Sequence, residues 1–137
     1  MDVDEQMAIG RLLHKAACDL DDRDLDGMES CFTHDTTVVI EIQSSGRSEP
    51  MLGRDALMSL VRARVAEQED RRRHVISNMI IDPQGPNKAN VSSLLTLISI
   101  LDGQARVITT GCYRDIVEKR DGRWQIASRK IELDLPY

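Results

Sequence analysis

The chain has 137 residues, of which 41% are hydrophobic and 30% are charged, values typical of a single globular domain. Its net charge of −5 argues against a nucleic-acid partner, because binding to phosphates requires a basic surface. No apolar run is long enough to span a bilayer, and the acidic N-terminus, MDVDEQMAIG, lacks the order of a signal peptide, so we expect a cytoplasmic protein without a membrane partner.

The N-terminal residues have the pattern of two helices. Between residues 4 and 20, apolar side chains recur every three or four positions, which predicts a helix with one face on a core. The acidic stretch DLDDRDLDG ends this helix. Asp24 is suited to cap a second, short helix, whose Leu25, Met28 and Phe32 would face inwards.

A strand, a loop and a third helix follow. TTVVIEI (36–42) is rich in β-branched residues and predicts a strand, and QSSGRSEP (43–50) after it predicts a loop. Gly53 then precedes RDALMSLVRARVAEQED (54–70), whose apolar residues share one helical face. The first half of the chain is therefore predicted to be mainly helical.

The C-terminal half has the pattern of four long strands in series. These are RHVISNMIID (73–82), ANVSSLLTLISIL (89–101), ARVITTGCYRDIVEK (105–119) and RWQIASRKIELDL (123–135). Short turns such as RDG connect the later strands, so we expect an antiparallel meander. Helices followed by strands indicate an α+β fold, in which helices cover one face of a curved sheet and leave a cavity suited to a ligand.

Three blocks of the sequence, DDRDLDGMESCFTHDTTV, RHVISN and GCYRDIVEKRDGRWQIASRKIELD, have an order and spacing that cover nearly the whole chain. Together they resemble the SnoaL-like family of the nuclear transport factor two-like, or cystatin-like, superfamily. The resemblance implies one SnoaL-like domain over residues 1–137. It also implies three N-terminal helices packed on a strongly curved, mixed but mostly antiparallel sheet, cone-shaped with a central cavity. Relatives include scytalone-dehydratase-like and dehydrochlorinase-like enzymes, isomerases, polyketide cyclases and β subunits of ring-hydroxylating dioxygenases.

The resemblance implies a catalytic pair formed by His74 and Asp21. In the dehydratase and dehydrochlorinase branches, an aspartate at the end of the first helix and a histidine at the start of the strand after the third helix form an acid–base dyad. A neutral imidazole can take a proton near pH 7, and a carboxylate on its other nitrogen fixes the tautomer. Asp19 and Asp24 are alternatives for the carboxylate. His74 is otherwise a half-exposed strand residue without a catalytic role.

Three further residues are candidates for contact with a substrate. Arg129 matches an arginine of the dehydrochlorinase branch and would hold a carboxylate, a carbonyl or a leaving anion of a ligand, or else form a structural ion pair with Glu41 or Asp115. Tyr113 could donate its hydroxyl to a carbonyl, or could be a packed aromatic residue. Asn78, expected on the same strand face as the histidine, could contact a ligand or satisfy backbone groups.

Two features of the sequence depart from the patterns of these relatives. Ala16 stands where the dehydrochlorinase has a lysine, and the first helix lacks the tyrosines of some dehydratases. Neither a metal site nor a cofactor is expected, because the histidines have no metal-like spacing and no glycine-rich phosphate loop is present.

We therefore expect a cofactor-independent, dehydratase-like lyase or isomerase acting on a small, largely apolar organic molecule. The alternative is a non-catalytic ligand-binding protein or a β-subunit-like partner of a ring-hydroxylating dioxygenase. Apolar residues on both faces of SSLLTLISIL (92–101) predict that the outer sheet face packs on another copy, giving a homodimer or a higher homo-oligomer. A homo-oligomer with a vestigial cavity is a third interpretation.

Overall fold

Helices and strands follow one another much as the sequence predicts. The structure, a computed structural model, describes all residues from Met1 to Tyr137. The helices are α1 (Val3–Asp21), α2 (Leu25–Ser30) and α3 (Arg54–Glu67). The strands are β1 (Phe32–Ile42), β2 (Arg47–Leu52), β3 (Arg71–Pro83), β4 (Lys88–Leu101), β5 (Gln104–Arg120) and β6 (Arg123–Leu133). None of the helices has both the length and the apolar composition needed to cross a membrane.

The strands form one six-stranded sheet in the order β2-β1-β6-β5-β4-β3. β1 runs parallel to β6, and every other neighbouring pair is antiparallel. The meander of β3 to β6 turns at Asp102-Gly103 and Asp121-Gly122, where all four residues have positive φ angles, as in type I′ hairpins. The prediction of an α+β fold with a mixed, mostly antiparallel sheet is confirmed.

Local capping explains where the first two helices begin. The Asp2 side chain accepts a hydrogen bond from the Glu5 backbone N–H (2.9 Å) at the start of α1. Asp24 caps α2 as predicted, because its carboxylate accepts from the Gly27 N–H at 3.1 Å. The buried face of α1 consists of Ile9, Leu12, Leu13 and Ala16.

The segment predicted as a loop (43–50) contains part of a strand. Arg47–Leu52 form β2, which pairs antiparallel with β1 and lies at one edge of the sheet. The prediction of a loop through residue 50 was therefore wrong. Pro50 cannot donate a backbone hydrogen bond to a neighbouring strand, which makes it unfavourable in a central strand. An edge strand tolerates proline, and the pairing partner in β1 determines that this segment is extended.

A polar contact ties the start of α1 to the far end of the meander. The Glu5 carboxylate accepts hydrogen bonds from Trp124 Nε1 at 2.6 Å and from Lys119 Nζ at 2.8 Å. The pKa of Glu5 is lowered by its hydrogen bonds to Lys119 and Trp124. The contact therefore favours the ionised carboxylate and holds α1 on β5 and β6.

Glu5→Gln is expected to lower the stability of the fold at pH 7 and to weaken its pH dependence. Because the folded-state pKa of Glu5 lies below its ordinary value of about 4.3, the carboxylate stabilises the fold above that value. The contribution is lost as the pH falls through the folded-state pKa. Urea unfolding of both proteins at pH 7 and pH 3 measures this. A stability difference that is the same at both pH values would contradict it.

Candidate active site

An apolar pocket lies between the inner face of the sheet and the helices. Its volume is about 450 Å³, within the range of sites for small molecules, and 18 of its 29 lining residues are hydrophobic. We call it the inner pocket. Among its apolar lining residues are Leu20, Leu57, Val61, Leu95, Ile131 and Leu133.

Asp21 and His74 meet at the wall of the inner pocket. Asp21 ends α1 and His74 lies near the start of β3, and both line the pocket. Asp21 Oδ1 is 2.6 Å from His74 Nδ1, and Asp21 Oδ2 accepts from the His74 backbone N–H at 2.8 Å. An ionised carboxylate only accepts hydrogen bonds, so this contact assigns the imidazole proton to Nδ1 and leaves Nε2 as an acceptor.

The other acidic residues of the 19–26 cluster have different partners. Asp19 pairs with Lys15 one turn earlier in α1. Asp24 is the N-cap of α2, and Asp26 contacts Arg62 of α3. Among the aspartates considered from the sequence, Asp21 is the one that contacts the histidine.

Arg129 lies at the base of the inner pocket in a buried ion pair with Asp115. Its Nε and Nη2 donate to the two Asp115 carboxylate oxygens at 2.7 and 3.0 Å, and the two side chains are 7% and 0% exposed. Glu41, the other candidate partner, contacts Lys130 instead. Because the pair uses Nε and Nη2, Nη1 of Arg129 remains for a ligand.

Tyr113 also lines the inner pocket and packs against Arg129. The Arg129 guanidinium lies 4.2 Å from the centre of the Tyr113 ring, a cation–π distance. Burial raises the pKa of Tyr113 to about 12. The phenol is therefore protonated at neutral pH and can donate a hydrogen bond.

Asn78 lies outside the inner pocket, contrary to the prediction. A bulge in β3 shifts the register with β4 between Ser77 and Ile80, and Asn78 has a φ of 52° within it. The extra residue breaks the two-residue alternation that would have put Asn78 on the His74 face. Its side chain is exposed, and it does not line the pocket.

The sequence did not predict a polar group at the α3 side of the pocket. Arg64 Nη2 donates to both Glu49 carboxylate oxygens at 3.2 Å, and Arg64 Nη1 donates to the Tyr137 hydroxyl at 3.1 Å. Arg64 and Tyr137 line the inner pocket. The sequence did contain one indication of this group. Arg64 follows Val61 by three residues and therefore lies on the apolar face of α3.

Metal ligands do not cluster in this fold. No group of three or more histidine, cysteine, aspartate or glutamate side chains is arranged to hold a metal ion. The imidazole of His74 is paired with a single carboxylate, and His14 and His34 are exposed.

Comparisons with known proteins identify the family. A family model described as a SnoaL-like domain matches residues 1–130. No curated protein matches the sequence significantly. Among solved structures, a protein named as the β subunit of an aromatic-ring-hydroxylating dioxygenase from Novosphingobium aromaticivorans is 18% identical. It has a TM-score of 0.84 over 97% of this chain and 91% of that chain.

Two other solved structures have the same architecture. A protein named as a scytalone dehydratase from N. aromaticivorans is 25% identical, with a TM-score of 0.83 over 97% of this chain and 86% of its own. A Nostoc punctiforme protein of unknown function with a cystatin-like fold is 22% identical, with a TM-score of 0.83 over 99% and 97% of the two chains. The family match over residues 1–130 shows that the chain belongs to the SnoaL-like family, and its fold is cystatin-like.

Proposed function

We propose that this protein is a dehydratase-like lyase or isomerase that removes a proton from a carbon atom of a small, largely apolar molecule. The observation that carries the proposal is the contact between Asp21 and His74 at the wall of an apolar pocket. The likeness to a protein named as a scytalone dehydratase, at a TM-score of 0.83, agrees with this class of reaction.

Four residues of the inner pocket have separate roles in the proposed reaction. His74 Nε2 takes the proton, and the Asp21 carboxylate stabilises the imidazolium that forms. The Arg129 guanidinium and the Tyr113 hydroxyl stabilise negative charge that develops on a substrate oxygen. Departure of a leaving group then gives a lyase, and return of the proton to another carbon gives an isomerase.

The charges of Arg129, Asp115 and Asp21 favour a neutral group on the part of the substrate that lies beside them. Asp115 already compensates the charge of Arg129, so this arginine does not supply a free cation for a carboxylate. The Asp21 carboxylate adds negative charge to the same pocket. A ligand with a carbonyl or hydroxyl oxygen on an apolar skeleton fits these groups better than an anion does.

The proposed reaction is tested with 5-nitrobenzisoxazole, which loses a carbon-bound proton and opens to a coloured phenolate. We expect saturable elimination by the unaltered protein and a rate reduced to that of buffer in His74→Gln. His14→Gln, which changes an exposed histidine of α1, is the control. Elimination that survives in a folded His74→Gln protein would refute the role of His74.

A second candidate function is that of a β-subunit-like partner of a ring-hydroxylating dioxygenase. The likeness that favours it is the TM-score of 0.84 over 97% of this chain to a protein named as such a β subunit. Purification from the native source distinguishes the two functions. Co-purification with a larger iron–sulfur oxygenase subunit would favour the partner role over the stand-alone enzyme.

The outer face of the sheet is proposed to pack on a second copy of the chain. Leu94 of β4 alternates with the buried Ser93 and Leu95, so it projects from the opposite face. Val75 of β3 and Val107 of β5 are likewise apolar and exposed. Water-exposed apolar side chains on three adjacent strands are typical of a protein interface.

Light scattering at micromolar concentration is expected to show a dimer or a larger homo-oligomer. Leu94→Glu should give a monomer, because it places charge in the apolar interface. Leu52→Glu is the matched control, since Leu52 is 75% exposed on β2 at the other end of the sheet. A monomeric unaltered protein, or a Leu94→Glu protein that remains oligomeric, would contradict this interface.

A further inference from the structure

Tyr137 lies where the inner pocket meets a second, more polar pocket. The second pocket, which we call the outer pocket, has a volume of about 570 Å³, and three of its 12 lining residues are hydrophobic. Tyr137, Arg64 and Arg72 line both pockets. A ligand that fills the inner pocket and extends towards the outer one therefore passes Tyr137.

The segment that carries Tyr137 is fixed to β5 by hydrogen bonds. The Thr109 hydroxyl donates to the Leu135 carbonyl at 2.8 Å and accepts from the Leu135 N–H at 3.2 Å. Thr110 binds Asp134: its backbone carbonyl accepts from the Asp134 N–H at 2.8 Å, and its hydroxyl donates to the Asp134 carboxylate at 2.6 Å. These contacts set the backbone position just before Tyr137.

The Tyr137 side chain is oriented by Arg64. The Arg64 guanidinium lies 5.4 Å from the centre of the Tyr137 ring, and its Nη1 donates to the phenolic oxygen. The contact of Arg64 Nη2 with both Glu49 carboxylate oxygens holds the guanidinium in place. Since arginine has only donors, the tyrosine oxygen is the acceptor in this contact, and the phenolic hydrogen is left to donate to a ligand. Burial raises the pKa of Tyr137, so the phenol is protonated at neutral pH.

His74 and Tyr137 both line the inner pocket but are supported by different helices. In the sheet, His74 is opposite Leu97, which is opposite Thr109, the residue that binds the Tyr137 segment. Two strand spacings, about 10 Å, separate the backbones of His74 and Thr109. Asp21 supports His74 from α1, whereas Arg64 supports Tyr137 from α3. Both side chains line the inner pocket, so one ligand in that pocket can contact both.

We propose that Tyr137, oriented by Arg64, contacts the ligand and donates a hydrogen bond to an oxygen acceptor at the end of the ligand remote from His74. The substrate is then a neutral molecule with an apolar ring system and a carbonyl or similar oxygen towards the outer pocket. This inference rests on the proposed function only in taking the inner pocket as the ligand site, and it does not depend on proton transfer by His74.

Two isosteric probes, 2-acetylnaphthalene and 2-ethylnaphthalene, test the donor role of Tyr137. Isothermal titration gives the Kd of each probe for the unaltered protein and for Tyr137→Phe. The variant should weaken binding of the ketone by roughly 2- to 12-fold, the net contribution of one hydrogen bond, and leave the Kd of the ethyl compound unchanged. Arg64→Met should reduce the same selectivity, because the hydroxyl is present but no longer oriented.

Matched variants separate this inference from the proposed reaction. Arg62→Met, which changes an exposed arginine of α3 that lines neither pocket, should bind both probes as the unaltered protein does. Equal weakening of both probes by Tyr137→Phe, or loss of the ketone selectivity in Arg62→Met, would overturn the proposal. Failure of both probes to bind the unaltered protein would also overturn it. Inactive protein with intact ketone selectivity would refute the reaction alone.

Discussion

Asp21→Asn is expected to slow the elimination of 5-nitrobenzisoxazole by ~10²–10⁴-fold. The Asp21 carboxylate accepts from both the backbone N–H and the Nδ1–H of His74. An asparagine has one acceptor oxygen. If that oxygen keeps the bond to the backbone N–H, the amide NH₂ faces Nδ1 and requires it to be the acceptor. The imidazole proton then moves to Nε2, and the nitrogen proposed as the base is blocked.

The control for Asp21→Asn is Asp19→Asn. Asp19 lies on the same helix, and its substitution by asparagine removes the same charge. The Asp19 carboxylate, however, forms its ion pair with Lys15 and not with the histidine. Pre-steady-state or steady-state rates of phenolate release at pH 7 measure both variants, and circular dichroism verifies that they are folded. Equal rates for Asp21→Asn and Asp19→Asn would show that the contact with His74 has no part in proton transfer.

The elements that sequence predicted well are those determined by neighbours along the chain. The apolar stripe of α1, the Asp24 cap of α2 and the two Asp-Gly hairpin turns each depend on residues within one or two turns of backbone. Helical phase alone does not select the aspartate that contacts His74. Asp19 follows the buried Leu12 by seven residues and is rotated by about 20° from it, whereas Asp21 follows the buried Leu13 by eight residues and is rotated by about 80°.

The features that sequence did not predict depend on contacts between distant segments. The bulge that exposes Asn78 is a property of the pairing of β3 with β4, and β2 is extended because β1 pairs with it. From the sequence, Glu41 and Asp115 were both candidates for the ion-pair partner of Arg129. The register of the β5–β6 pair places Asp115 directly opposite Arg129, and this explains why Asp115 is the partner. The contact of Arg64 with Tyr137 joins residues 73 positions apart.

Arg129→Met is expected to destabilise the fold by about 3–5 kcal/mol, because it leaves the Asp115 carboxylate buried without a counter-charge. The Asp115 side chain has no exposed surface in the folded protein, so the guanidinium is what compensates its charge. The free energy of urea unfolding measures the loss. Arg114→Met is the control, since the Arg114 side chain of the Arg114–Glu132 pair on the same sheet is 59% exposed and its loss should change stability little.

The double variant Arg129→Met with Asp115→Leu distinguishes a structural role of this ion pair from a functional one. Replacing both members by apolar residues of similar size removes the uncompensated charge, so we expect stability close to that of the unaltered protein. The same variant should eliminate 5-nitrobenzisoxazole more slowly, because no guanidinium remains beside the reacting molecule. Recovered stability with full activity would mean that the pair contributes nothing to the reaction. Persistent instability would mean that packing against Phe32 and Tyr113, and not the buried charge, is what Arg129 supplies.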